Sequence, residues 1–266
     1  MPQSPANFII PAYSTQAEAN QRMRGLAAQL EADVRAVQKA PNPARALSWN
    51  AYDQDTQNIV LQYNGYLRNT PGYQSLDWQL IKAMLWVETS PTAPDNQWDT
   101  APMQSANKGD VGWSDMMNNG NKMSLIVPPN LRSAVGTPGL SASDNIAAGV
   151  GYLLYRAAEF GQKTQVDKNN IKSVVVSRGD SLYSIARKVG TTEQILREMN
   201  SHAPLYPLKV GIKLNYMPAK TVTVITGWQS IDPQSAYRLY NANGRGAYGD
   251  EVQFTYDLIR KNKILN

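Results

Sequence analysis

Apolar positions recur at helical spacing along most of the chain, and one segment carries a carboxylate on such an apolar face. Trp78, Ile81 and Leu85 follow one another at steps of three and four, which predicts one buried stripe of a helix. Glu88 is the next position on this stripe, and Pro91 disfavours a helical conformation in the residue before it. The pattern therefore predicts a helix that ends just after a glutamate directed toward the core.

A carboxyl group in that position has two interpretations. Partial desolvation raises the pKa of a carboxyl group, which suits a general acid that works near neutral pH. The alternative is a glutamate at a helix end that reaches water and has only a structural role. The segment alone favours the structural alternative, and the motifs elsewhere in the chain change that balance.

Further segments with helical spacing lie on both sides of this helix. They are residues 15–39, 53–68, 141–160, 232–240 and 250–261. Gly149 and Gly151 each cost their helix about 1 kcal/mol relative to alanine, which is expected where another backbone packs closely. Residues 91–139 are rich in proline, glycine and short polar residues and lack periodicity, which indicates a binding loop.

Residues 171–219 have a different pattern, with two short strands around two short helices. Their spaced features are Val176-Ser-Arg-Gly-Asp-Ser-Leu-Tyr-Ser-Ile-Ala186, then Thr192, Leu196 and Asn200, then Leu208-Lys-Val-Gly211, Leu214 and Pro218. In this combination the region resembles a LysM module, a class that binds glycans containing N-acetylglucosamine, such as peptidoglycan and chitin. Ile212 and Met217 depart from the family pattern, which more often has Gln and Ile there.

The LysM resemblance implies a groove that holds acetyl groups by backbone hydrogen bonds and apolar contact. The groove would be formed by the segment after Asn200 and by the loop of Gly179, Asp180, Ser181 and Leu182. The alternative is a module that only spaces or orients its host.

Composition and charge exclude several kinds of chemistry. The chain has no cysteine, which excludes disulfides and thiolate metal sites, and its one histidine argues against a Ser-His-Asp triad or a multi-histidine metal site. The net charge of +5 is scattered, so no nucleic-acid partner is predicted. No metal or organic cofactor is predicted, no window is long and apolar enough to span a bilayer, and no secretory signal peptide is recognised.

Four short motifs lie on either side of the LysM-like region. They are Val87-Glu88-Thr89; Ala101-Pro-Met-Gln104; Asn145-Ile146 with Gly149 and Tyr152-Leu153; and Ala236-Tyr-Arg-Leu-Tyr-Asn241 with Gly244, Tyr248 and Val252. Together they resemble the soluble lytic transglycosylase family, which has a lysozyme-like fold and cleaves the glycan strands of peptidoglycan. Ala101-Pro102 departs from the Gly-Leu of that family, and Pro102 removes a backbone donor there.

This second resemblance implies a mechanism with a single carboxyl group. Glu88 would protonate the glycosidic oxygen between N-acetylmuramic acid and N-acetylglucosamine, and would then act as the base for attack by the muramoyl C6 hydroxyl. Tyr240 would hydrogen-bond to the acid and position it. The residues implied to contact the saccharide or shape its groove are Thr89, Met103, Gln104 and Asn241.

Two alternatives stay open. A hydrolytic muramidase requires a second carboxylate to activate water across the sugar ring. The aspartates available in the loop region are Asp95, Asp99, Asp110 and Asp115. A non-catalytic cell-wall-binding or structural protein would combine a working LysM module with an inactive helical domain.

The sequence therefore predicts an α+β chain, mainly a helical lysozyme-like domain with a small βααβ LysM module inserted. The predicted divisions are a helical extension (1–72), the first part of the catalytic domain (73–170), the LysM module (171–219) and the closing helices (220–266). The expected partner is peptidoglycan, in the periplasm or cell wall. An antibacterial effector delivered by a type VI secretion apparatus, or a phage-tail enzyme, would fit, with the N-terminal helices as the docking element and an immunity protein as a further partner.

Overall fold

The computed structural model describes residues 16–39, 49–91, 97–106, 109–137, 141–241 and 248–261. The chain divides into a helical unit, formed by residues 1–159 and 225–266, and an inserted unit of residues 160–224. The fold is α+β, as predicted. Two positions named above, Asp95 and Gly244, lie outside the described residues.

The described elements follow one another in this order: α1 Gln16–Lys39, α2 Asp53–Leu67, α3 Trp78–Glu88, α4 Gln97–Thr100, α5 Val111–Asn118, α6 Gly120–Ile126, a 3-10 turn Pro129–Leu131, α7 Arg132–Gly136, α8 Ala142–Ala157, β1 Ala158–Val166, β2 Lys172–Val175, α9 Leu182–Val189, α10 Glu193–Met199, β3 Lys213–Tyr216, β4 Ala219–Trp228, α11 Pro233–Tyr240 and α12 Tyr248–Lys261.

Helix α3 is buried along most of its circumference rather than along one stripe. Residues 80–88 are all buried, whereas the sequence predicted a single apolar face. The helix begins after Asp77, whose side chain accepts from the Gln79 N–H at 2.9 Å, and it ends at Glu88, as the position of Pro91 predicted. Helices α2 and α12 pack against it, which encloses its apolar surface.

Lys82 is a charged side chain within this core and is only 1% exposed. Its ammonium group lies 2.7 Å from both Asp53 Oδ2 and Asn50 Oδ1, and 5.7 and 5.4 Å from the ring centroids of Trp78 and Trp86. Burial lowers the pKa of Lys82, and the hydrogen bond and charge of Asp53 oppose that change. Because a buried ammonium needs such partners, the network fixes how α2 and α3 align.

Two glycines of α8 admit side chains from other elements. A Cβ atom at Gly149 would lie 2.8–2.9 Å from atoms of Met103, and one at Gly151 would lie 2.6 Å from the hydroxyl oxygen of Tyr63. That hydroxyl donates to the Ala147 carbonyl at 2.9 Å. The close approach expected from the sequence is therefore made by two large side chains rather than by another backbone.

Strands β1 and β4 pair with each other, and the boundary between the two units falls within both. The N–H of Asp167 donates to the Pro218 carbonyl and that of Gln229 to the Ala157 carbonyl, both at 2.8 Å, so the strands run antiparallel. The sequence predicted a helix end and a polar linker where β1 lies. Because β1 is mostly polar, its pairing with β4 rather than its own pattern makes it a strand.

Within the inserted unit, strand β2, helices α9 and α10 and strand β3 have the predicted βααβ order. Strands β2 and β3 are antiparallel neighbours with Val174 opposite Leu214. The side-chain amide of Asn200 donates to the carbonyls of Leu196 and Asn215, both at 2.7 Å, and its oxygen accepts from the Asn215 N–H at 2.8 Å. Asn200 therefore joins the end of α10 to β3. The core residues are Val176, Leu182, Ile185, Ala186, Leu196, Leu214 and Tyr216.

Alkaline pH is expected to destabilise the helical unit because tyrosine hydroxyls are buried in it. Burial raises the pKa of Tyr63 far above its ordinary value of 10.0 and raises the pKa of Tyr73 to about 12. Near pH 10 the unfolded chain releases these protons while the folded chain keeps them. The stabilising contribution is therefore complete below about pH 10 and is lost above it, at about 1.4 kcal/mol per pH unit for the fully buried Tyr63.

Thermal unfolding measured from about pH 8 to pH 11 tests this expectation. Tyr63→Phe should lower stability at neutral pH by about 1 kcal/mol, because the buried hydrogen bond from its hydroxyl to the Ala147 carbonyl is lost. The same variant should flatten the alkaline slope. An alkaline slope equal to that of the parent would contradict the assignment to Tyr63.

Candidate functional site

A cleft of about 230 Å³ opens in the helical unit at the end of α3. Its lining residues are Glu88, Met103, Gln104, Ser105, Asp110, Tyr152, Tyr240 and Asn241. They come from the end of α3, the loop between α4 and α5, helix α8 and the end of α11. All except Ser105, Asp110 and Tyr152 are residues for which the transglycosylase resemblance implied a catalytic or saccharide-binding role. Asp110 is one of the carboxylates named for the muramidase alternative.

Glu88 brings a carboxylate to the cleft as the last residue of α3, and it is only 6% exposed. Its backbone carbonyl accepts from Gln104 Nε2 at 2.6 Å. A negative charge at a helix C-terminus opposes the helix dipole, at a cost of about 0.3–1 kcal/mol. A contribution to stability does not explain a buried acid at the unfavourable end of a helix dipole. Residues that lower stability in this way are concentrated at functional sites.

Three backbone positions near Glu88 have left-handed conformations that residues other than glycine rarely adopt. Gln104 and Ala106 have φ angles of 51° and 58°, and Ser90 has a φ angle of 73°. Each costs on the order of 1–3 kcal/mol, and such strain persists only where surrounding contacts impose it. The contacts that impose it on residues 103–106 are hydrogen bonds from two other elements.

Asn145 of α8 makes two of these bonds. Its Oδ1 accepts from the Met103 N–H at 2.7 Å, and its Nδ2 donates to the Ser105 carbonyl. Asp110 makes a third, because its Oδ2 accepts from the Ala106 N–H at 3.0 Å. The loop that presents Gln104 is therefore held at both ends. The sequence named Asn145 as part of a motif but gave no sign that its side chain would bind this loop.

Replacing Asn145 with alanine is expected to lower the free energy of unfolding by about 1–3 kcal/mol, because the Met103 N–H and the Ser105 carbonyl would lose their partners in a buried place. Chemical denaturation measures this loss. Asn119→Ala is the matched control, since its amide donates to the Asp115 carbonyl at an exposed site, and it should change stability by less than about 0.5 kcal/mol. Equal effects of the two variants would contradict a special role for Asn145.

Pro102 and Thr89 connect the loop to the end of α3. The Thr89 hydroxyl donates to the Pro102 carbonyl at 3.0 Å, and the residue is buried. Pro102 has no N–H group, but its carbonyl accepts this hydrogen bond. The Gln104 N–H donates to the Ala101 carbonyl at 2.8 Å. Thr89 lies behind the cleft wall and is not among the lining residues.

Tyr240 presents its hydroxyl to the same region. The hydroxyl donates to the Met103 carbonyl at 2.7 Å. Burial and, secondarily, the negative charge of Glu88 raise the pKa of Tyr240 well above its ordinary value, and the neighbouring Ser105 hydroxyl lowers it. Tyr240 is therefore a neutral hydrogen-bonding group close enough to Glu88 to sense its charge. Its ring packs edge-on with Tyr152, 5.7 Å between centroids.

The aspartates of the loop region do not lie equally near the cleft. Asp110 lines it. Asp99 lies near Tyr52, where its charge adds to the effect of burial in raising the pKa of that tyrosine, and Asp115 accepts from the Tyr155 hydroxyl at 3.2 Å. Asp110 is also the N-cap of α5, because its Oδ1 accepts from the Trp113 N–H at 3.0 Å. Both of its carboxylate oxygens thus accept from backbone N–H groups.

The four residues of the inserted unit that were predicted to bind glycan differ in their exposure to solvent. Gly179 and Ser181 are exposed, Asp180 is half-buried, and Leu182 lies in the module core. Gly179 has a φ angle of 86°, and Asp180 Oδ2 accepts from the Ser177 N–H at 2.7 Å. The Ser181 side chain caps α9 through the Ser184 N–H. The loop is thus fixed by its own polar bonds, and Leu182 contributes packing rather than an exposed surface.

The described residues contain no group of three or more His, Cys, Asp or Glu side chains arranged to hold a metal ion. Among the helices described, none is long and apolar enough to cross a membrane.

Comparison with known proteins identifies one part of the chain. Residues 174–215 match the family model of the LysM domain. No curated protein and no solved structure matches the chain. The chain therefore contains a LysM domain, as its spaced motif predicted, and this supports a peptidoglycan-binding, cell-wall-associated role. The resemblance of the helical unit to lytic transglycosylases stays a prediction.

Proposed function

We propose that this protein is a peptidoglycan-cleaving lytic transglycosylase in which Glu88 is the single acid and base. The observation that carries the proposal is the convergence of separate motifs on one cleft. Residues from the end of α3, from the loop before α5 and from the end of α11 meet there, although they span more than half of the chain. A purely structural role for each motif does not require them to meet around a buried carboxylate.

The proposed reaction breaks the β-1,4 bond between N-acetylmuramic acid and N-acetylglucosamine. Glu88, protonated, gives its proton to the glycosidic oxygen, and the bond from C1 to that oxygen breaks. The carboxylate then takes the proton of the muramoyl C6 hydroxyl as its oxygen bonds to C1. One proton returns to Glu88, a 1,6-anhydro ring closes, and no water is consumed.

The neighbouring side chains have roles that suit this reaction. Tyr240 keeps its proton, which it donates to the Met103 carbonyl, so its oxygen can accept a hydrogen bond beside Glu88 without competing as a base. Gln104 donates its amide hydrogens to the Glu88 carbonyl and to Gln97 Oε1, so it maintains the position of the helix end at the edge of the cleft. Met103 is completely buried and fills the space left by Gly149, so it supports the loop from beneath the cleft rather than contacting a saccharide.

A hydrolytic muramidase is the second candidate, because Asp110 places a second carboxylate in the cleft. Such an enzyme needs a carboxylate that can activate water on the opposite face of the sugar ring. Both Asp110 oxygens accept from backbone N–H groups, which suits a structural cap better than a general base. The single-carboxyl mechanism is therefore the primary proposal.

The LysM domain would supply binding to the same polymer. Joining a weak glycan-binding module to a cleaving unit raises the effective substrate concentration at the cleft, without any new contact there. A protein with these two activities would act at the cell wall. Delivery by a secretion apparatus or a phage tail, with an immunity protein as partner, belongs to the proposal.

Mass spectrometry of the fragments released from purified peptidoglycan tests the reaction type. Fragments one water lighter than hydrolysis products are the expected result for the parent and for Asp110→Asn. The variant loses one of the two backbone hydrogen bonds that Asp110 accepts, so its rate should fall while the type of fragment stays the same. Reducing-end products that disappear in Asp110→Asn would replace the proposal with a muramidase. Absence of any release, with peptidoglycan still bound, would leave a LysM-bearing binding protein.

A further inference from the structure

A second pocket, of about 210 Å³, lies in the helical unit and shares no residue with the cleft at Glu88. One wall is the segment between α2 and α3, and the other is the segment between β4 and α11. The lining residues are Gly72, Tyr73, Gln74, Ser75, Leu76, Trp228, Gln229, Ser230 and Ile231. The lining contains aromatic rings, amides and hydroxyls but no charged side chain.

The aromatic part of the lining is held from behind. Tyr73 and Trp228 pack edge-to-face with 4.9 Å between ring centroids. The Tyr73 hydroxyl donates to Asn64 Oδ1 at 2.6 Å, and the Trp228 indole N–H donates to Thr70 Oγ1 at 3.1 Å. Because the polar atom of each ring is bonded inward, what remains for the pocket is apolar ring surface.

The segment that carries Tyr73 is also fixed before any ligand arrives. Asn64 Oδ1 accepts from the Leu76 N–H at 2.9 Å, and its Nδ2 donates to the Leu76 carbonyl at 2.9 Å. Leu76 itself is buried. A wall fixed in this way loses little conformational entropy on binding, which is the property that favours affinity in a small pocket.

We propose that this pocket binds one neutral saccharide ring, an N-acetylhexosamine unit of a glycan. The exposed amide of Gln74 and the exposed hydroxyl of Ser75 can both donate and accept, which matches sugar hydroxyl and acetamido groups. Gln229 donates to the Arg156 carbonyl at 3.5 Å and Ser230 to Asp232 Oδ2 at 3.3 Å, so these two side chains contribute mainly acceptor oxygens. The rings of Tyr73 and Trp228 match the apolar face of a pyranose.

Charge and size narrow the ligand further. Phosphates and the carboxylates of a stem peptide are recognised by charged partners, and the lining has none. The volume lies below the roughly 300–1,000 Å³ of pockets for drug-sized ligands, which suits a single ring. The pocket would therefore be a glycan subsite separate from both the LysM domain and the Glu88 cleft. Only the choice of glycan rests on the proposed function.

The indole N–H signal of Trp228 in the NMR spectrum reports on this pocket in solution. The chain has six tryptophans and none lies within residues 160–224, so indole signals do not report on the LysM domain directly. Trp228→Phe assigns the signal. Titrating the full-length Glu88→Gln protein with an N-acetylglucosamine tetramer should shift the Trp228 signal saturably. Removing two amides with Gln74→Ala and Gln229→Ala should weaken the apparent affinity read at Trp228 about tenfold. The backbone N–H signals of the LysM domain should respond to the tetramer as before.

Three results would overturn the inference. They are a Trp228 signal that stays fixed when the LysM signals are saturated, a response unchanged by loss of both amides, and an equal response to a charged stem tetrapeptide. Because binding is read in a variant with the proposed acid removed, failure of the parent to cleave peptidoglycan would not affect this test. An active enzyme with a fixed Trp228 signal would overturn only the second subsite.

Discussion

Glu88→Gln is expected to lower the rate of glycan cleavage by about 10²–10⁴-fold, the usual contribution of a positioned general acid. Glutamine keeps the size of the side chain and can still accept hydrogen bonds, but it has no proton to deliver to the leaving oxygen. The free energy of unfolding should stay equal or rise, because the substitution removes a buried charge from the unfavourable end of α3. Release of soluble fragments from peptidoglycan measures the rate, and chemical denaturation measures the stability.

Asp99→Asn is the control for this experiment, since it neutralises an exposed carboxylate from the same region outside the cleft. It should leave both rate and stability near those of the parent. Binding to insoluble peptidoglycan should be unchanged in either variant, because Glu88 lies outside the LysM domain. A Glu88→Gln protein that cleaves as fast as the parent would remove Glu88 from the mechanism and favour a binding or structural function.

Deleting residues 1–71 is expected to prevent the helical unit from folding. Four hydrophobic side chains of α2 are buried in that unit, namely Ile59, Val60, Tyr63 and Leu67, each 0–4% exposed. Burying one such side chain contributes about 1.5–3 kcal/mol, so their combined loss is comparable with the 5–15 kcal/mol stability of a whole domain. Helix α1 adds Arg22, which pairs with the buried Glu251 at 3.1 Å and donates to the Val87 carbonyl at 2.8 Å.

The sequence suggested the opposite outcome, with the N-terminal helices as a removable docking element. Circular dichroism and near-ultraviolet spectra of the truncated protein decide between the two. Point variants separate the effect of burial from that of shortening the chain. Leu67→Ala should cost about 2–5 kcal/mol, whereas Leu61→Ala should cost less than about 0.5 kcal/mol, because Leu61 lies on the same helix but is 69% exposed. A truncated protein that folds and cleaves peptidoglycan would restore the docking hypothesis.

Local signals in the sequence explain why some features could be predicted. The end of α3 at Glu88 follows from Pro91 and the apolar steps before it, and the start of α11 follows from Asp232 and Pro233. The LysM domain was recognisable because several of its spaced residues act at once, such as Asn200 bridging a helix to a strand.

Other features depend on partners that are distant in the chain. Asn145 reads as an ordinary helix residue until the backbone of residues 103–105 is brought to it. Lys82 breaks the apolar pattern of α3, and its two tryptophans and Asp53 give no sign in the sequence that they will surround it. Strands β1 and β4 have weak hydrophobic alternation, and each is a strand because it pairs with the other. Periodicity reports the environment of a segment and not the identity of its neighbour.

Helix α12 has a consequence for the order of events during synthesis. It is the last described helix, and it packs along α3. Its Tyr256 hydroxyl donates at 2.6 Å to the side chain of Asp77, the residue that caps the start of α3. The ribosome therefore releases the LysM domain as a contiguous, foldable segment while the central helix still lacks one of its walls. Because domains fold as units during translation, the LysM domain can fold before α12 emerges and encloses the Glu88 helix.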